Sequence, residues 1–169
     1  GGPAGMMAAC AAAENGGRVL LLEPNERLGK KLNITGKGRC NVNNNCGLEE
    51  FLQNVPRNGR FLCSAFSQFG SGDVMDFFAA QGVPLKTERG NRVFPVSDRA
   101  FDISGALERC LRRSGVEIVR DRAQSLVLQD GALAGVQGQR AVYAAARVVV
   151  ATGGVSYPLT GSNGDGYRL

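Results

Sequence analysis

The spacing of apolar residues changes several times along the 169-residue chain. Alanines and methionines fill Met6 to Glu14 and predict a helix, which the glycines after Asn15 end. Runs dominated by apolar residues predict strands at 18–23, 116–119 and 147–151, and the last run is typical of a strand buried on both faces. Since helix and strand patterns alternate, the sequence predicts an α/β fold with a parallel sheet.

Residues 43 to 113 follow another pattern. Phenylalanines, leucines and capping residues predict short helices over 49–69 and 74–81 and a longer helix over 97–113. Two strand-like runs flank Gly90-Asn91, a pair whose positive φ angles suit a tight hairpin. We interpret this stretch as a helical and hairpin excursion from the parallel sheet. Further on, short strands at 126–128, 133–136 and 141–143 predict an antiparallel meander.

The first five residues, Gly1-Gly2-Pro3-Ala4-Gly5, match the second half of a G-x-G-x-x-G turn. In such a turn one glycine lets the backbone approach a pyrophosphate, and the last lets the next helix pack closely on the sheet. These roles fall to Gly2 and Gly5, while the N–H groups of the first helical turn, with that of Ala4, face the phosphates. The motif's first glycine and the strand before it are expected upstream of residue 1.

Glu23 ends the first strand about 20 residues after the glycine turn, where dinucleotide-binding domains place the acid that binds ribose. A carboxylate there accepts hydrogen bonds from a ribose diol and repels a 2′-phosphate. The predicted ligand therefore carries the adenosine of FAD or NAD and not that of NADP. The run at 147–151 ends in a second candidate turn at the carboxyl edge of the sheet, formed by Thr152, Gly153 and Gly154.

A basic, glycine-rich stretch lies between these two turns. The net charge of the chain is +5, and most of it comes from the five cations and single acid of residues 25–41. Charge focused in this way favours one phosphate-bearing ligand over a polyanion. The residues predicted to wrap the ligand are Lys30, Lys31, Thr35, Gly36, Gly38, Arg39, Cys40 and Asn41.

Composition argues against several other functions. The chain has no histidine, and its five cysteines show no C-x-x-C spacing. We therefore expect no metal site, no dithiol chemistry, and thiols in the reduced state. No apolar stretch approaches 18 residues and no signal peptide is visible, so we expect a cytoplasmic protein without a membrane partner.

Several longer strings resemble a known family. They are GGPAG at 1–5 with Glu23, RLGKKL at 27–32, ITGKGRCN at 34–41, TERGNRVFP at 87–95 and ATGGVSYP at 151–158. Together they look like the BaiN-like flavoproteins, a family that includes aminoacetone-oxidase-type FAD enzymes. Asn33 and Lys37 depart from the family pattern, which has an apolar residue and often glycine at these positions.

The resemblance implies that residues 1–169 are part of a Rossmann-like FAD-binding domain of the glutathione-reductase type, truncated at both ends. Such a domain has three layers, with a parallel sheet and a small antiparallel meander. The resemblance also implies that the basic stretch lies near the pyrophosphate and flavin and that backbone near Gln124 lies against the adenine. The flavin side is expected to be lined by Ala151, Thr152, Gly153 and Gly154.

The expected function is that of an FAD-dependent oxidoreductase acting on a small molecule, with NAD(P)H as a candidate electron donor. Two alternatives are an NAD-dependent dehydrogenase and an FAD-dependent RNA-modifying or nucleic-acid-binding protein. The basic stretch and the second glycine turn count against the first alternative. The focused charge counts against the second, so no nucleic-acid partner is expected. No residue is identified as a catalytic acid or base.

Overall fold

The computed structural model describes residues 1–169 and divides into two compact units. The first unit contains Gly1–Leu32 and Leu107–Leu169, and the second contains Asn33–Ala106. The helices are α1 (Pro3–Glu14), α2 (Leu48–Gln53), α3 (Cys63–Gln68), α4 (Ser71–Ala80) and α5 (Ala100–Arg113). The strands are β1 (Leu20–Leu22), β2 (Leu85–Glu88), β3 (Arg92–Pro95), β4 (Glu117–Val119), β5 (Ala123–Gln129), β6 (Ala132–Gly138) and β7 (Val142–Ala144). None of the helices is long and apolar enough to cross a bilayer.

Helix α1 starts and ends as the sequence predicts. Pro3 occupies its first position, where a missing N–H removes no helical hydrogen bond. At the other end the N–H groups of Gly16 and Gly17 donate to the carbonyls of Ala13 and Ala12, at 3.0 and 2.9 Å. Gly16 has φ +83°, the left-handed conformation that such a helix ending requires.

The parallel sheet joins β1 to β4. Leu22 lies opposite Val119, and the N–H of Glu23 extends the ladder by donating to the Val119 carbonyl at 3.0 Å. Both strands run in the same direction, so their carboxyl ends meet at one edge of the sheet. The α/β class with parallel pairing is confirmed.

The predicted meander is also confirmed, as β5, β6 and β7 pair in antiparallel order. Its first ladder contains a bulge. Ala123 lies opposite Gly138 while Ser125 lies opposite Gln137, so Gln124 is one extra residue on β5. Bulges of this kind remove a residue's backbone from the ladder and often occur next to functional sites.

In the second unit, β2 and β3 form the predicted hairpin, and Gly90 and Asn91 have φ +75° and +57°. Helix α4 begins at Ser71, three residues before the predicted start. The reason is that Asp73 caps from inside the first turn, where its carboxylate accepts the N–H of Gly70 at 2.7 Å. The acid therefore completes a capping arrangement and does not precede the helix.

The strand predicted at 147–151 is wrong for this structure. Residues 147–150 have no regular secondary structure, and Val149 and Val150 are 71% and 50% exposed. A strand needs a neighbour to pair its N–H and C=O groups. β1 has β4 as its single partner in the sheet. The apolar composition of the run is that of a strand, but no strand lies beside it to complete the pairing.

Helix α5 supplies several of the most completely buried apolar side chains. Ile103, Leu107 and Leu111 are at most 1% exposed, and they follow one another at intervals of four residues along one face of the helix. The N-terminal part of α5 belongs to the second unit and its C-terminal part to the first.

Candidate cofactor site

The glycine turn at the chain start lies directly on Glu23. The N–H of Gly29 donates to the Gly1 carbonyl at 2.8 Å and so ties the turn to the loop after β1. A side chain at Gly1 would collide with the side chains of Glu23 and Leu28. The structure therefore brings the predicted phosphate-binding turn and the predicted ribose-binding acid together.

Gly2 and Gly5 are glycines for different reasons. A β-carbon at Gly5 would lie 3.3 Å from that of Ala151, so close packing of α1 accounts for this glycine. Gly2 has φ −81° and ψ 176°, which any residue adopts, and a β-carbon there would have nothing within 4 Å. Neither backbone strain nor packing requires glycine at this position, and close approach of a ligand to the Gly2 backbone stays a prediction.

Glu23 is 8% exposed, and its two carboxylate oxygens have different surroundings. Oε1 accepts the N–H of Asn25 at 2.7 Å and the Asn25 side-chain amide at 2.5 Å. Oε2 lies 3.0 Å from the amine of Gly1, on the side of the glycine turn. Oε1 is thus held by Asn25, and Oε2 faces the glycine turn.

The same contacts determine the charge of Glu23. Burial alone would raise its pKa, but the hydrogen bonds from Asn25 and from the Gly1 amine outweigh burial and hold the pKa below the usual value. The group is therefore a carboxylate at neutral pH, the form that a ribose diol requires of its acceptor. Asn25 is not among the residues predicted for the site, although Asn is a common turn residue after the end of a strand.

The two lysines before the unit boundary make different contacts. Lys30 is exposed, with Nζ 3.4 Å from the side-chain oxygen of Asn25. Lys31 donates from Nζ to the Ser156 carbonyl at 3.0 Å and to the Ser162 hydroxyl at 2.5 Å. Lys31 thereby holds the loop that follows the second glycine turn. A direct phosphate contact by either lysine stays a prediction.

The second glycine turn lies in the same unit as the first. Ala151 faces Gly5, as described above, and the next three residues are exposed. Gly153 has φ +81°, and β-carbons at Gly153 and Gly154 would meet nothing within 4 Å. Gly166 packs against Thr152, and a side chain at Gly166 would collide with the Thr152 hydroxyl. The turn therefore has free space on its outer side, as a ligand-binding turn requires.

The remaining predicted residues form a compact loop in the second unit. Gly36, Lys37, Gly38 and Cys40 all have φ between +56° and +86°. The N–H of Cys40 donates to the Thr35 carbonyl at 3.0 Å, and a β-carbon at Gly36 would lie 3.0 Å from the backbone nitrogen of Asn41. Lys37 adopts the left-handed conformation with a side chain, where the family often has glycine.

Cys40 and Asn41 end this loop with opposite exposures. The Cys40 side chain is fully buried, and burial raises the pKa of its thiol. Asn41 is exposed. Any contact of Cys40 with a ligand would have to come from its backbone, whereas Asn41 can offer its side chain.

Arg39 is bound within its own unit. Its guanidinium donates to one carboxylate oxygen of Asp98 at 2.7 and 2.9 Å, donates to Glu88, and stacks 4.2 Å from the centre of the Phe94 ring. These hydrogen bonds raise the pKa of Arg39 and lower the pKa of Glu88. The pKa of Asp98 is lowered first by the hydrogen bond from Lys86, at 2.9 Å, and then by those from Arg39. The side chain holds the loop against the β2–β3 hairpin, and its predicted role as a ligand donor is untested.

The fold and the site define a Rossmann domain, with a glycine turn, a helix N-terminus and a buried acid at the carboxyl edge of a parallel sheet. The family model of the HI0933-like protein Rossmann domain matches residues 1–169. The chain therefore belongs to this family, whose members are FAD-binding flavoproteins and oxidoreductases. Membership confirms the predicted FAD cofactor and the resemblance described above.

The chain is similar in sequence to three longer enzymes. The chain is 38% identical to the 3-dehydro-bile acid delta(4,6)-reductase of Clostridium scindens, over 100% of this chain and 41% of the relative. It is 25% identical to the ribosomal RNA dihydrouridine synthase of Escherichia coli, over 99% and 41%. It is 30% identical to the digeranylgeranylglycerophospholipid reductase of Methanocella arvoryzae, over 91% and 37%. The chain thus spans about two fifths of the length of these proteins.

Proposed function

We propose that this chain is the FAD-binding part of a flavin-dependent oxidoreductase that reduces a carbon–carbon double bond in a small molecule. The observation that carries the FAD site is Glu23, a buried carboxylate with one oxygen directed to the glycine turn. The reaction class is supported by the relatives. The name delta(4,6)-reductase describes reduction at double bonds, and dihydrouridine is uridine whose ring double bond has been saturated.

The residues of the first unit have distinct roles in this proposal. Gly2 admits the pyrophosphate to the backbone, and the N–H groups at the start of α1, with that of Ala4, bind its oxygens. Glu23 accepts from the ribose, while backbone at Gln124 contacts the adenine. Ala151 to Gly154 lie along the flavin side. For residues 35–41, which belong to the second unit, the proposed role is donation of hydrogen bonds from the backbone and from exposed side chains.

Saturation of a double bond adds a hydride to one carbon and a proton to the other. When bound, FAD supplies the hydride chemistry after two-electron reduction, for which we propose NAD(P)H as the donor. The protein's part is to bind and orient the cofactor. No residue of this chain is assigned as the proton donor. We also propose a cytoplasmic location, because all five cysteines are free thiols in the structure.

A second candidate is reduction of uridine in ribosomal RNA. It is favoured by the dihydrouridine synthases of Escherichia coli and Haemophilus influenzae, which are 25% and 23% identical over 99% of this chain. The proposed small-molecule reductase is favoured by the higher identity of the bile acid reductase. Both candidates use the same cofactor site, so they are distinguished by substrate alone.

We expect the full-length parent protein to purify with non-covalent FAD and to reduce a conjugated dienone. The test is to reduce the bound flavin anaerobically, add either a 4,6-dien-3-oxo steroid or a ribosomal RNA transcript, and follow flavin reoxidation and product mass. A gain of two hydrogens by the steroid supports the proposal, whereas dihydrouridine in the RNA alone supports the second candidate. A colourless protein that takes up no added FAD would contradict both.

Replacing Glu23 by Gln should weaken FAD binding by about 1–3 kcal/mol, because a charge-assisted hydrogen bond to ribose becomes a neutral one. The measurement is isothermal titration of FAD into the apoprotein of the parent. Glu26→Gln is the matched control, since Glu26 is exposed and contacts only the exposed Arg120, at 3.3 Å. An unchanged dissociation constant for Glu23→Gln would place the ribose contact elsewhere.

A further inference from the structure

Asp121 is a buried carboxylate in the loop between β4 and β5, with 3% exposure. Oδ1 accepts the N–H of Arg122 at 2.7 Å, and Oδ2 accepts the Tyr143 hydroxyl at 2.8 Å and the N–H of Arg140 at 3.1 Å. The N–H of Gln139 donates to the carbonyl of Arg122 at 2.9 Å and so joins the same two segments. One side chain thus joins the start of β5, the turn before β7, and β7 itself.

Asp121 accepts three hydrogen bonds from the protein, and both of its oxygens take part. Burial alone would raise the pKa of Asp121, but the hydrogen bonds from Tyr143 and the backbone hold it below the usual value. Gly138 leaves space for the Asp121 carboxylate, because a side chain at this position would collide with Oδ2. Both oxygens of Asp121 are therefore hydrogen-bonded within the protein, and the side chain fixes the segments around it.

The anchored loop lies beside Glu23. Leu22 is opposite Val119 in the parallel ladder, and the N–H of Glu23 donates to the Val119 carbonyl, so Glu23 and residues 120–124 leave the same sheet edge from adjacent strands. Arg120 reaches Glu26 across this edge at 3.3 Å. Ligands of open parallel sheets bind outside the carboxyl ends of the strands. A nucleoside held by Glu23 therefore has residues 120–124 as its neighbour.

We propose that Asp121 is a positioning residue for the adenosine half of FAD. Resting on the proposed FAD site, it fixes the backbone of residues 120–124 next to the adenosine. The bulge at Gln124 supports this, since it releases one residue of β5 from the ladder three positions after Asp121. Asp121 acts through that backbone and does not touch the ligand.

The test compares two probes on the apoprotein of the full-length parent. ADP reports the adenosine half of the site and FMN the flavin half. For Asp121→Asn we expect the dissociation constant of ADP to rise about tenfold while that of FMN changes by less than about twofold. Asp130→Asn is the control, because Asp130 lies at the opposite, exposed end of the same meander with φ +52°, which Asn tolerates.

Tyr143→Phe is a milder variant that removes one of the three donors to Asp121, and we expect a smaller rise in the dissociation constant of ADP. If Asp121→Asn does not fold, the Tyr143→Phe variant tests whether Asp121 positions the adenosine half of the site. Equal losses for ADP and FMN, or no loss for either, would overturn the positioning role and leave a structural one. Failure of the unchanged parent to bind FAD would instead contradict the proposed function.

Discussion

Replacing Leu111 by alanine lowers the free energy of unfolding by about 2–5 kcal/mol. Leu111 is completely buried on α5, so the substitution removes apolar contacts and leaves a cavity that close-packed neighbours fill only in part. A typical domain has a stability of about 5–15 kcal/mol, and this one change consumes a large share of it. The measurement is urea denaturation followed by circular dichroism.

Leu128→Ala is the matched control, because Leu128 lies on β5 with 65% of its surface exposed. We expect its effect to stay within about 0.5 kcal/mol. If both substitutions have the same effect, the burial of the helix face that carries Leu111 is not what stabilises the first unit.

The local features of this fold could be predicted from the sequence because each depends on residues close together in the chain. Gly16 ends α1 because glycine adopts the left-handed conformation, and Gly90-Asn91 forms the hairpin for the same reason. Glu23 could be identified as a site residue because its distance from the glycine turn is set by one helix and one strand. Family membership then confirmed the cofactor that this pattern indicated.

Features that depend on distant residues could not be predicted in this way. The stretch from Lys30 to Asn41 was interpreted as a set of ligand donors, yet Arg39 binds Glu88 and Asp98, which follow it by 49 and 59 residues. Asp121 gave no signal in the sequence because its partner Tyr143 is 22 residues away. The spacing of apolar residues predicts which face of a helix or strand is buried. It does not predict which polar side chains form hydrogen bonds with each other.

Strand formation at 147–151 depends in the same way on a partner. Extending the chain at its amino end with the residues that precede Gly1 in the parent should create that partner beside β1, because the glycine turn follows a strand in the dinucleotide-binding motif. We expect residues 148–150 to become a strand and Val149 and Val150 to be covered. Burying a valine side chain contributes about 1.5–3 kcal/mol, so two of them contribute several.

FAD binding should strengthen by about a hundredfold in the extended chain. The second glycine turn is then held at the end of an ordered strand. FAD binding therefore no longer has to offset the conformational entropy lost when this segment becomes ordered. The Gly1 amine also becomes a peptide N–H, so Glu23 loses the charged partner that lies 3.0 Å from Oε2. That oxygen is then available to the ribose.

The measurement is isothermal titration of FAD into the 169-residue chain, into the extended chain, and into a control extended by a glycine-serine segment of equal length. The control removes the Gly1 amine but offers no strand former, so it separates the effect of strand pairing from that of releasing Glu23. If only the native extension binds tightly, pairing with 147–151 is the dominant effect. Equal and tight binding by all three would show that the glycine turn is complete without a preceding strand, and that residues 1–5 do not belong to the second half of the motif.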